Sequence, residues 1–220
     1  MDFIDSLGNN TYSFDIGAFN WTLGAWRQLI KVAPVIQICR QYQINSMADF
    51  GCGKGDVKKI LEANHQLPSI FWGIDIDKDA NANIKADVCI DSTLQGESID
   101  LVVCLDLVQN VPSEKRKGLF DEITSVLKKD GLLYLFFRTD KFPTDNDNSG
   151  YNIGGESIAM VIDSLKDYWL LSMWGVNAVK PCLEWPTFLP FEFNRIFYSL
   201  DDPFESKFVG MIFRKRKWIL

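Results

Sequence analysis

Histidine is nearly missing from this chain: 220 residues hold only His65, in the loop-like run Asn64-His65-Gln66-Leu67-Pro68. That scarcity excludes Ser-His-Asp triads and the usual histidine-based metal sites, and any chemistry here must proceed without a histidine general base. Paired cysteines are lacking too. Cys39, Cys52, Cys89, Cys104 and Cys182 are odd in number and widely spaced, with no C-x-x-C, which fits neither a disulfide framework nor a zinc knuckle and leaves reduced, mostly buried thiols. No apolar run approaches the roughly 20 residues needed to cross a bilayer; the longest uncharged one, Gly131 to Phe137, suits a buried strand. Internal repeats and low-complexity tracts are absent. Asp2 and Asp5 stand where a secretory signal would carry basic residues, so the expected location is the cytoplasm.

Basic charge is in deficit. With 29 acidic against 23 basic residues the formal charge is -6, which argues against nucleic acid or an anionic membrane as partner. The one concentrated basic run, Arg214-Lys215-Arg216-Lys217, reads first as charge that keeps an edge strand soluble. Apolar bulk is plentiful: 47% of the chain is hydrophobic, with Phe 16, Trp 7 and Tyr 6, enough for one core in a single domain.

The pattern along the chain alternates strand and helix. Ser46 to Phe50 predicts a strand that ends in Gly51-Cys52-Gly53-Lys54-Gly55, after which Val57, Ile60 and Leu61 share one helical face. Ile70 to Ile74 predicts a second strand, buried on both faces, with Asp75 where it emerges. A short helix is expected over Lys78 to Lys85 with Asp77 as its cap, a weak third strand over Ala86 to Ile90, and a firm fourth over Ile99 to Cys104. Ser113 is placed to cap a helix carrying Leu119, Phe120, Ile123, Val126 and Leu127, which Asp130-Gly131 would end. Leu132 to Phe137, Tyr168 to Val176 and Phe208 to Phe213 complete the strands, with a helix around Ile158 to Leu165. Parallel strands need helical crossovers, so the expected class is α/β: a doubly wound, mostly parallel seven-stranded sheet with an antiparallel edge strand at the C-terminal end. Residues 1–44 would add one or two helices, 45–137 would form the core that binds a ligand, and 138–220 would supply further loops and the last two strands.

A glycine turn after the first strand of such a sheet lets backbone approach a ligand at the strand ends. The phosphate-binding pattern G-x-x-x-x-G-K-[ST] fails, because Lys54 is followed by Gly55 and the upstream glycine is missing. The dinucleotide pattern G-x-G-x-x-G/A fails at Asp56, and Asp49 with Asp56 would both face a pyrophosphate. Two like charges 4 Å apart cost about 4 kcal/mol at an effective dielectric of 20. A ligand without phosphate that brings positive charge to the loop removes the conflict.

Asp49-Phe50-Gly51-Cys52-Gly53-Lys54-Gly55 resembles the first motif of class I S-adenosylmethionine-dependent methyltransferases, an acidic residue followed by G-x-G-x-G. The resemblance continues over residues 45–137. It implies that Asp49, Gly51, Gly53 and Gly55 hold the cofactor's amino-acid end, that Asp75 takes the ribose hydroxyls and Ile76 the adenine face, and that Asp87, beside Val88, receives the adenine amino group, with Asp91 a nearby rival. Ile99-Asp100-Leu101-Val102 through Val111-Pro112 is similar to the family's F-D-x-V-x-x-x-x-V-L-E-H-V-P block, which brings Leu105 to the cofactor and puts Asn110 where the family has histidine. Lys128-Lys129-Asp130-Gly131 is similar to its turn into the fifth strand.

What the resemblance implies is a Rossmann-like enzyme that uses S-adenosylmethionine, releases S-adenosylhomocysteine, needs no metal and moves a methyl group to an O or N atom of a small acceptor. Asp106 is then the carboxylate placed to act as base. Arg138 could hold an anionic acceptor group or pair with Asp140. Helices before the first strand commonly serve as a lid in this family, which makes Trp21 a candidate for stacking on the acceptor beside the plainer reading of Trp21 and Trp26 as core. A monomer or homodimer is expected. Alternatives are a protein or RNA acceptor, or a partner subunit that binds the cofactor without turnover.

Overall fold

Four of the five residues of Ser46–Phe50 are apolar or small, and the whole strand is buried, because it lies at the centre of the sheet and takes a parallel neighbour on each side. The computed structural model describes residues 23–140, 157–176 and 202–217, with side chains from residue 31 onward. Within them the elements run α1 (Leu23–Gln41), β1 (Ser46–Phe50), α2 (Asp56–Ala63), β2 (Ile70–Asp75), β3 (Ile84–Lys85), β4 (Ile99–Leu105), α3 (Ser113–Val126), β5 (Leu127–Arg138), α4 (Ile158–Ser164), β6 (Tyr168–Val176) and β7 (Phe208–Lys215). The seven strands form one sheet in the order β3-β2-β1-β4-β5-β7-β6. β1 to β5 are parallel; β7 runs antiparallel between β5 and β6, so the Rossmann-like α/β architecture stands, with the reversed strand one place in from the edge.

Side chains of opposite parity build two cores, one on each face. Ile99, Val102, Cys104, Leu133, Leu135 and Phe137 meet Leu119, Phe120, Ile123 and Val126 of α3 and Ile158 and Val161 of α4. On the other face Met47, Leu101, Val103, Tyr134 and Phe136 meet Val32, Val35 and Ile36 of α1 and Val57, Ile60 and Leu61 of α2. From residue 31 onward α1 is therefore a core helix. Trp21 lies outside the described residues, as does the side chain of Trp26.

Four local expectations need correction. Lys78 to Lys85 forms no helix: Asp77 accepts from the Asp79 N–H, the Asn83 side chain accepts from the Gly73 N–H, and the Asn81 N–H donates to Gly53 O. Short polar side chains that bond nearby backbone compete with helix formation, and here they hold a turn. Asp77 thus ends that turn and caps no helix, and the third strand shrinks to Ile84–Lys85, upstream of the expected Ala86 to Ile90. β2 is buried on both faces only near its end; Ile70 and Trp72 are 48% and 38% exposed. They point to the face that the right-handed β3 to β4 crossover would cover, and residues 86–98 contain no helix to cover it. Ser113 is the first residue of α3, with Pro112 at the cap position and no side-chain cap, and its hydroxyl turns to Glu114.

β5 begins at Leu127, directly after Val126, and bulges through Asp130 at φ 66 before pairing resumes at Leu132. The last strand reaches Lys215, whose ammonium donates to Thr124 O and Leu127 O at 2.6 Å each and so satisfies carbonyls at the end of α3. Among the described residues no helix is long and apolar enough to cross a membrane.

Candidate functional site

Parallel register brings the ends of β2, β1, β4 and β5 to one edge: Phe50 lies beside Ile74 and Cys104, and Leu105 beside Phe136. Strand order reverses direction between β1 and β4, and crevices at such points bind ligands outside the strand ends. The loop after β1 fills that position. Gly51, Gly53 and Gly55 have φ of 74, 49 and 73, a region that side chains with a Cβ rarely enter.

Each glycine has its own surroundings. A Cβ on Gly51 would press on the Leu107 side chain at 3.0 Å, and one on Gly55 would press on Asn81 at 3.0 Å, whereas nothing lies within 4 Å of that position at Gly53. The loop is closed toward the protein at Gly51 and Gly55 and open at Gly53. Gly51 and Cys52 N–H both donate to Ile74 O, and Gly53 N–H donates to Asp75 Oδ2 at 2.8 Å. The other Asp75 oxygen accepts from Asp77 N–H at 2.9 Å, so this carboxylate pins the loop to the end of β2. Ile76 beside it is 70% exposed.

Asp49 is the unusual group. Its side chain is 2% exposed, and Oδ2 accepts no hydrogen bond among the described residues. Burial first, then the charges of Asp75 and Asp56, push its carboxyl up to about 7. An orphaned, desolvated acid beside two further carboxylates asks for a cation with N–H donors; a phosphate group would add a fourth negative charge. The residues present therefore fit the ammonium and sulfonium of S-adenosylmethionine and do not fit a dinucleotide.

The sign of the linkage follows. A carboxyl with a raised folded-state value contributes stability at low pH, and that contribution is lost as pH rises from about 4 to about 7. A ligand ammonium beside Asp49 favours the ionised form and expels the proton. Affinity for S-adenosylmethionine should be about tenfold lower at pH 6 than at pH 7.5, with proton release on binding at the lower pH. Calorimetry in buffers of different ionisation enthalpy reads both, and a flat profile would place the ammonium away from Asp49.

The turn after β3 carries the residues expected at the adenine. Asp87 Oδ1 accepts from Cys89 N–H at 3.0 Å and Oδ2 pairs with Lys115 of α3 at 3.1 Å, contacts that hold its carboxyl below the usual range, the amide first. Val88 is buried in the first core, and Asp91 turns away to Thr93 N–H at 2.6 Å. On the acceptor side, Leu105 ends β4 half-buried, and Asp106 follows at φ 56. Its carboxylate pairs with Lys31 of α1 through Oδ2 and lies 3.4 Å from the Gln109 amide nitrogen through Oδ1. The Gln109 amide oxygen is buried and without a partner among the described residues. Asn110 Nδ2 donates to Asp106 O at 2.6 Å, so the residue in the histidine position braces backbone. Arg138 ends β5 opposite Phe208 and is half-buried.

The structure thus gathers Asp49, Gly51, Gly53, Gly55, Asp75 and Ile76 at the crevice, with Leu105, Asp106 and Arg138 along the same edge. Sequence reasoning missed Lys31, Asn81 and Leu107. Leu107 falls on an apolar position of the fourth-strand block and was findable there; Lys31 meets a partner 75 residues away and carries no local signal.

A doubly wound sheet with an acidic glycine crevice at its reversal point is the architecture expected of class I S-adenosylmethionine-dependent methyltransferases. Residues 48–135, the stretch from β1 into β5, match the family described as "Methyltransferase domain", and this match together with the fold supports S-adenosylmethionine as cofactor. Solved structures with this fold include an S-adenosylmethionine-dependent methyltransferase from Archaeoglobus fulgidus, with 15% identity, TM-score 0.58 and coverage of 86% of this chain and 94% of that one. One from Clostridium acetobutylicum gives 11%, 0.56, 87% and 92%. Another, from Mesorhizobium loti, gives 14%, 0.55, 77% and 90%. No curated protein matches the sequence.

Proposed function

We propose that this enzyme methylates an O or N atom of a small-molecule acceptor. The observation that carries the reading is the fate of the basic run. Arg214 lies over the Tyr42 ring, Lys215 caps α3, Arg216 lies over the Trp169 ring and Lys217 pairs with Asp130. Each of the four charges has a partner within the fold, with Lys217 still largely exposed, and the chain as a whole carries -6.

The cofactor supplies a methyl group already activated by its sulfonium. The chain's own residues hold and align. Asp49 and the loop Gly51 to Gly55 would hold the amino-acid end, Asp75 the ribose, Ile76 and Asp87 the adenine. Asp106 is the group toward the acceptor: with Oδ2 engaged by Lys31 and Oδ1 met only by the Gln109 amide at 3.4 Å, Oδ1 would take a hydrogen bond from the acceptor O–H or N–H and hold the proton that the acceptor gives up. Arg138 at the end of β5 would face an anionic part of the acceptor.

The test incubates enzyme and methyl-tritiated S-adenosylmethionine with separated small-molecule, protein and RNA fractions of an extract. Label should enter the small-molecule fraction. Label confined to protein or RNA would refute the acceptor class, and no transfer to any fraction would point to a cofactor-binding subunit without turnover.

A further inference from the structure

Lys31 lies at the edge of the site without a part in holding the cofactor, and three features converge on it. Its ammonium pairs with Asp106 across 75 residues of sequence, with side-chain exposures of 15% and 32%. Asp106 itself is fixed from several directions: its N–H donates to Phe136 O, its carbonyl accepts from Asn110, and it holds a left-handed φ of 56, a conformation costly for a residue with a Cβ. The side chain of the next residue, Leu107, lies 3.0 Å from where a Cβ on Gly51 of the glycine loop would sit, so the two are packed as neighbours. A continuous physical path therefore runs from Gly51 through Leu107 and Asp106 to Lys31.

The far end of that path is a weak point in α1. Pro34 lies inside the helix, where it lacks an N–H for the carbonyl of Ile30 and its ring crowds the preceding turn. Val35, Ile36 and Ile38 seat the downstream half in the core, and Val32 seats the weakened turn itself. The upstream half, residues 23–31, is joined across this weakened turn, and Lys31 ties it to the end of β4.

We propose that Lys31 is a positioning residue of the transfer site, holding the upstream half of α1 against Asp106 so that occupation of the glycine loop is felt in that half-helix. The coupling rests on the cofactor site and stands apart from the acceptor class proposed above.

Hydrogen exchange of the amides of residues 27–33, measured on the full chain with and without S-adenosylhomocysteine, tests it. Ligand should slow exchange about fivefold or more in the wild type and in Lys31→Arg, and the slowing should vanish in Lys31→Met while calorimetric affinity for the same ligand stays within about threefold. A merely structural contact would change the baseline exchange and leave the ligand-induced difference intact. Equal slowing in wild type and Lys31→Met, or none in the wild type, overturns the proposal; if Lys31→Met does not fold, Asp106→Asn breaks the same pair from the other side and must abolish the difference. Absence of any binding heat in the wild type would overturn the cofactor site and the coupling together, whereas label found only in protein or RNA would affect the acceptor class alone.

Discussion

Asp75→Ala should lose at least about a hundredfold in affinity for S-adenosylmethionine. The carboxylate accepts from Gly53 N–H and Asp77 N–H, so it shapes the loop before any ligand arrives, and it is the acid proposed above for the ribose hydroxyls. Hydrogen bonds to a charged group are worth about 1.5 to 3 kcal/mol each, and every 1.4 kcal/mol is tenfold in affinity. Asp75→Asn keeps one acceptor oxygen and should fall between wild type and alanine. Equilibrium dialysis measures all three. An alanine variant within about threefold of wild type would mean that neither the loop nor the ribose depends on this residue.

Gly118→Ala should unfold at a temperature below the wild type by up to about 8 °C, although helix propensity alone favours alanine by about 1 kcal/mol. Gly118 lies inside α3, where a Cβ would fall well inside van der Waals contact distance of the Cys89 carbonyl oxygen. That oxygen belongs to rigid backbone in the turn that also presents Asp87, so relief requires moving α3 or the turn. Overpacking of this kind costs typically 1 to 3 kcal/mol. The same displacement should weaken cofactor binding through Asp87 and its partner Lys115. Calorimetric unfolding decides the sign, and an unchanged or higher midpoint would show that the close approach is easily relaxed.

The sequence disclosed what short-range rules govern. Gly51, Gly53 and Gly55 after an apolar strand announced a turn with positive φ, and the acids at Asp49 and Asp75 gave that turn its chemistry. The failures lie where local signals compete or where contacts are distant. Lys78 to Lys85 contains residues compatible with helix, but Asp77, Asn81 and Asn83 bond the backbone of the turn and of the cofactor loop, and that tertiary use prevails. The passage from α3 straight into β5 at Leu127 was hidden behind Lys128-Lys129-Asp130-Gly131, which reads as a helix end and proves to be a bulge. The basic run looked solvated and proves to be partnered, since Tyr42, Trp169 and the α3–β5 junction with Thr124 and Asp130 are three distant parts of the chain. Asp106 was visible as a carboxylate beside β4, yet its partner Lys31 could be found only once α1 was laid on the sheet.

These assignments depend on one claim, that the acidic crevice at the ends of β1 and β4 accepts a cationic, phosphate-free cofactor. Titration calorimetry of the wild-type protein with S-adenosylmethionine and with S-adenosylhomocysteine addresses it directly. One site of micromolar affinity, about -8 kcal/mol, is the predicted result for both ligands. A folded protein that gives no heat with either would contradict the account and leave Gly51 to Gly55 as an ordinary turn between a strand and a helix.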